Sequence, residues 1–104
     1  MNEITVQELK QKIDAGEDFQ LIDVREEFEY EVSNLNGILI PLGGILIEAD
    51  KIAKDRPVIV HCRSGARSAA AIMQLEAQGF TNLYNLKGGI IAWANEIEPG
   101  MQVY

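Results

Sequence analysis

The chain has 104 residues, 47% of them hydrophobic, which suits one compact domain with its own core and leaves no room for a second catalytic domain. A formal net charge of −7 argues against nucleic acid and anionic membrane surfaces as partners. One cysteine and one histidine exclude an internal disulfide, a cysteine zinc cluster and a histidine metal site, so no metal and no cofactor is expected.

The start, Met1-Asn2-Glu3-Ile4, has no basic region and no apolar run, and no segment approaches the ~18 apolar residues of a membrane span. A reduced, cytoplasmic setting is therefore expected, which also suits a free thiol. Thr5 with Glu8 forms a capping-box pattern opening a helix with an apolar stripe at Val6, Leu9 and Ile13, ended by Gly16. Gln20 to Val24 reads as a strand running into Arg25 to Glu31, an acidic turn or short helix. Asp23 and Arg25 are expected to pair and fix the loop after that strand rather than to act in catalysis. Asn36-Gly37 marks a turn, and Ile38 to Ile40 a short strand ended by Pro41. Gly43 to Ala53 is expected to be a helix with Ile45, Ile52, Leu46 and Ala49 inward, before Asp55-Arg56-Pro57 turns the chain back.

Val58-Ile59-Val60 is β-branched throughout, as a strand buried on both faces would be. Ser68 to Ala77 carries helix formers and ends at Gly79. Cys62 thus falls at the carboxyl end of a strand and the amino end of a helix, where unpaired N–H groups and the helix dipole attract anions. Arg63 and Arg67 add positive charge, and Gly65 and Ala66 keep the loop small enough to curl its amides inward. Such a setting lowers a thiol pKa. A lone cysteine is otherwise a small buried hydrophobe, but a loop containing two arginines, Ser64, Gly65 and Ser68 does not make a core. Further on, Leu83 to Leu86 reads as a parallel strand and Ile90 to Asn95 as a helix after Gly88-Gly89. Trp93, at helical spacing from Ile90, is expected in the core rather than stacked on a substrate.

Three blocks resemble the rhodanese (sulfurtransferase) family. They are Cys62-Arg63-Ser64-Gly65-Ala66-Arg67-Ser68, Leu21-Ile22-Asp23-Val24-Arg25, and Leu86-Lys87-Gly88-Gly89 with Trp93. The resemblance implies an α/β fold: a single rhodanese-like domain over 1–104, its mainly parallel central sheet flanked by helices on both faces. It implies Cys62 as the catalytic nucleophile and Arg63 through Ser68 as the substrate-binding loop. Cysteine phosphatases have five residues between their Cys and Arg. Here there are four, a smaller cup that suits a single sulfur atom. The chain departs from the family at Ser33 to Pro41, one residue shorter and lacking the usual histidine. This departure and the ending from Trp93 to Tyr104 resemble rhodanese domains fused to, or working with, adenylating enzymes of cofactor biosynthesis.

The implied activity is transfer of a sulfane sulfur from thiosulfate, or from a persulfide donor, to a thiophilic acceptor through a Cys62 persulfide. A protein sulfur donor or acceptor is the second partner class. Two other readings are a persulfide carrier for a partner protein and a cysteine–arginine phosphatase. A non-catalytic binding module is a third, although such modules usually lack the cysteine.

Overall fold

The computed structural model describes residues 1–104. Five strands form one parallel sheet in the order β1-β5-β4-β2-β3: β1 Glu3–Ile4, β2 Gln20–Asp23, β3 Ile38–Leu39, β4 Val58–His61 and β5 Leu83–Leu86. Three helices lie between strands, α1 Val6–Asp14, α2 Glu27–Val32 and α3 Ala66–Ala77, and a fourth, α4 Gly89–Glu96, follows β5. β4 is central, pairing β2 from Gln20 against Val58 to Asp23 against His61, and β5 from Val58 against Leu83 to Val60 against Asn85.

Alternation along β4 splits the core in two, because successive side chains leave opposite faces of a strand. Val58 and Val60 join Ile22, Val24, Ile72 and Leu75 under α3, whereas Ile59 joins Leu86, Val6, Leu9 and Trp93 under α1 and α4. Every residue of β4 is buried, which is why this strand reads as a continuous apolar run. Helix α1 begins on the expected capping box, with Thr5 and Glu8 exchanging side-chain-to-backbone hydrogen bonds. Trp93 is buried in the core, as expected.

Three sequence expectations need correction. Residues 43–53 do not form a helix but two 3-10 turns, Leu42–Gly44 and Ala49–Lys51. Two adjacent glycines and the β-branched Ile45 and Ile47 weaken a helix there, and the segment instead crosses the α3 face by seating Ile45 and Ile52 in the core. Leu46 does not turn inward, and Ile47 is 86% exposed. Ile13 is 43% exposed near the end of α1, bordering an open groove rather than the core. Strand β1 is too short, at two residues, to show any periodicity in the sequence.

Past β2 the chain is fixed by a buried ion pair. Arg25 donates to both carboxylate oxygens of Asp23 at 2.8–3.2 Å, and its backbone N–H donates to Asp23 Oδ1 at 3.0 Å. The remaining guanidinium capacity reaches the carbonyls of Glu29 and Ser33 on and after α2. Both side chains are fully buried, and removing one partner of such a pair leaves the other charge without compensation. Arg25→Met is therefore expected to cost about 3–5 kcal/mol in urea-induced unfolding, the usual penalty for orphaning a buried charge; a loss under about 1 kcal/mol, the range of a surface pair, would contradict this role.

Candidate active site

At the end of β4 the backbone turns sharply over Cys62 to Gly65 and enters α3 at Ala66, two residues earlier than the sequence suggested. Gly65, the N-cap of α3, takes φ +117°, a region open to glycine and disfavoured for other residues. Its N–H donates to Cys62 Sγ at 3.0 Å. Ser68 Oγ lies 3.4 Å from the same sulfur and also reaches Asn85 Oδ1 at 2.6 Å and the Gly65 carbonyl at 3.1 Å. Asn85, on β5, in turn donates to the Gly65 carbonyl. Burial pushes the Cys62 thiol up. The Ser68 hydroxyl and the backbone N–H groups of Ser68, Gly65 and Ser64 push it down and prevail, so the thiol lies below its ordinary value.

The loop is held from behind by α4. The carbonyls of Cys62 and Arg63 accept from the N–H groups of Ile90 and Ile91 at 3.0 and 3.1 Å. These donors belong to the first turn of α4 and have no partner within it. The contact requires Gly89: a Cβ there would lie 2.4 Å from the Arg63 carbonyl oxygen and 2.6 Å from that of Cys62. Its φ of +61° adds a second reason for glycine.

The six loop residues after Cys62 have different surroundings. Ser64 and Ala66 are exposed at the rim, and Ser68 is buried beneath the sulfur. Arg67 does not point free into the cup; it makes a two-pronged ion pair with Glu29 of α2, at 2.6 and 2.9 Å. Arg67 holds the Glu29 carboxyl down at about 2, against burial. Arg63 is exposed and forms no ion pair with a side chain; its Nε donates to the Tyr104 main-chain oxygen at 2.7 Å. The Tyr104 ring meets Phe28 of α2 edge-on at 4.8 Å, which places an aromatic pair beside the loop. His61, under the loop, is kept neutral by burial, which outweighs the attraction of Asp23. Its Nδ1 lies 3.4 Å from the Cys62 carbonyl, and its Nε2 has no hydrogen-bond partner, with Asp23 Oδ2 at 3.5 Å.

Glu29 and Asn85 were not anticipated as part of this site. Glu29 lies 38 positions from Arg67 in the chain, in an acidic stretch where it reads like its solvated neighbours. Asn85 sits inside a strand pattern whose only visible signal is apolar. Elsewhere, a groove of about 610 Å³ is bordered by Phe19, Leu21, Leu35, Ile38 and Trp93, and none of the Cys62 loop residues line it.

Residues 5–96 match the family model of the rhodanese-like domain. The chain belongs to the rhodanese-like domain family. A protein of Allochromatium vinosum named a sulfurtransferase is 41% identical over 95% of this chain and 94% of its own length. A Mycobacterium tuberculosis protein named as an adenylyltransferase/sulfurtransferase is 34% identical over 97% of this chain, which spans only 26% of that relative. The crystal structure of a rhodanese-like domain protein from Staphylococcus aureus superposes with a TM-score of 0.85 at 31% identity, covering 100% of this chain and 99% of that one. The parallel sheet and its flanking helices are thus the rhodanese-like fold.

The α4 contact generates a test. Gly89→Ala is expected to cost more than about 2 kcal/mol in chemical unfolding, since it combines a backbone clash with an unfavourable φ. It should also slow Cys62 alkylation at neutral pH, because a displaced loop withdraws N–H groups from the sulfur. Wild-type stability and alkylation in this variant would refute the contact.

Proposed function

We propose that the protein is a sulfurtransferase in which Cys62 carries the transferred sulfur. The observation that carries the reading is the set of donors around Cys62 Sγ: the Gly65 N–H at 3.0 Å, with the Ser68 hydroxyl and the N–H groups of Ser64 and Ser68 also lowering the thiol pKa. A thiolate so held is nucleophilic without a separate base. The name of the Allochromatium relative agrees with this assignment.

With thiosulfate as donor, the Cys62 thiolate attacks the outer sulfur, the sulfur–sulfur bond of the donor breaks, and sulfite leaves with that bond's electron pair. The product is a Cys62 persulfide anion. A thiophilic acceptor then attacks the terminal sulfur and releases the thiolate; with cyanide the product is thiocyanate. The same N–H groups of Ser64, Gly65 and Ser68 that stabilise the thiolate are placed to stabilise the persulfide charge. Cys62 is only 1% exposed, so the terminal atom of the donor, rather than its body, has to reach the sulfur.

The site is poorly equipped for phosphoryl transfer. Hydrolysis of a phosphate ester calls for a general acid at the leaving group. Glu29, the carboxylate paired to the loop, is ionised down to about pH 2, and Asp23 is locked against Arg25. A second reading, a carrier passing its persulfide to a protein, is favoured by the exposed aromatic pair Phe28 and Tyr104 beside the loop, 51% and 64% exposed. Aromatic side chains at a rim are common anchors for a protein partner.

Intact mass after incubation with thiosulfate tests the common step. A gain of one sulfur (~32 Da) is expected on wild type, lost again on adding cyanide and absent in Cys62→Ser. Equal gain in Cys62→Ser would move the chemistry away from this loop.

A further inference from the structure

The sequence shows two arginines in the loop and suggests a strongly cationic cup. The structure distributes those charges otherwise. Arg67 is matched oxygen for nitrogen by Glu29, at 2.6 and 2.9 Å, and Glu29 is itself buried. Arg25 is consumed by Asp23, and His61 is neutral. That leaves Arg63 as the loop's one cation without a side-chain carboxylate partner, tied at its Nε to the main-chain oxygen of Tyr104. Arg67 feels both Glu29 and the Cys62 sulfur, and Glu29 has the larger influence. Glu26, exposed one turn before Glu29, adds a further negative charge within range of Arg67.

We infer that Glu29 is a specificity-determining residue: by occupying Arg67 it selects sulfur donors that bring one negative charge to the loop over donors that bring two. This rests on the sulfur-transfer reading of Cys62. Glu29 touches no substrate; it acts through Arg67. Once Cys62 is a thiolate, a dianion approaching the cup meets the thiolate and the Glu29 carboxylate against Arg67 and Arg63. A monoanion meets the same groups with half the charge. The overall negative charge of the chain, −7, works in the same direction at longer range.

Two donors separate charge from chemistry, since both give the same Cys62 persulfide anion. Thiosulfate is a dianion and releases sulfite. Methanethiosulfonate is a monoanion with the same reactive sulfur and releases methanesulfinate, the sulfur–sulfur electron pair leaving with it. The experiment compares kcat/KM for the two donors, with cyanide as acceptor, in wild type and in Glu29→Gln. Gln keeps the shape and accepts one of the two Arg67 hydrogen bonds but leaves the arginine's charge uncancelled. The ratio of thiosulfate to methanethiosulfonate efficiency is expected to rise about tenfold in Glu29→Gln, as one unit charge close to a screened site allows. A merely structural role would lower both efficiencies and leave the ratio in place. A change in ratio below about twofold, with both donors still loading Cys62, overturns the inference and leaves sulfur transfer standing.

Wild type alone gives a second arm, should the variant fail to fold. Thiosulfate kcat/KM is expected to stay level or rise with added salt, because the cup's attraction is already cancelled and only the repulsion by the acidic body is screened. A steep fall with salt marks an uncancelled cationic cup and overturns the inference. If neither donor loads wild-type Cys62, the sulfur-transfer reading fails, and the role of Glu29 fails with it.

Discussion

Two carbonyl oxygens, those of Cys62 and Arg63, turn away from the sulfur and accept from the first free N–H groups of α4. A peptide whose oxygen is held outward has its N–H directed to the other side, and the Arg63–Ser64 peptide thereby turns the Ser64 N–H towards the sulfur. The Gly65 N–H then reaches Cys62 Sγ, while the helix amino terminus at Ala66 adds its own positive end. Gly89 permits the close approach of the two backbones. In a parallel sheet the loops after β4 and β5 emerge side by side, so the helix that braces the cup is supplied by the next unit of the same repeating architecture. The donor arrangement at Cys62 Sγ thereby depends on a contact made between backbone groups alone.

Charge is organised in layers beneath and around that loop. Asp23 and Arg25 form a buried pair that fastens β2 to α2, and α2 in turn presents Glu29 to Arg67. The same short helix carries Phe28, which meets Tyr104, whose main chain holds Arg63. Each loop arginine is thus restrained by an element distant in sequence, and the site is less positive than its residue list suggests. The lowered pKa of the buried Cys62 thiol rests on hydrogen bonds to the sulfur rather than on free cations nearby.

The parts legible in the sequence are those where local pattern and final environment agree. The β-branched run of β4, the helix formers of α3, and the glycine at its end all point the same way. Thr5 with Glu8 announces α1 because a capping box is a contact within four residues. Cys62 and Ser68 could be placed together since the loop joining them is short. The partners of Arg63 and Arg67 could not, being 41 and 38 residues distant. Residues 43–53 misled because Ile45 and Ile52 are seven apart, a spacing a helix and a pair of tight turns can both satisfy; the neighbouring glycines were the contrary signal. Ile13 matched a helical stripe, but α1 ends over the open groove rather than over the core.

The central claim, that backbone and hydroxyl donors hold Cys62 as a thiolate, is tested most directly by titrating the chain's one thiol through its ultraviolet thiolate absorbance. A midpoint clearly below the ordinary thiol value of about 8.5 is expected, moving upward in Ser68→Ala. A midpoint at or above about 8.5 would mean that burial prevails over the donors, and that Cys62 is a core residue rather than a nucleophile.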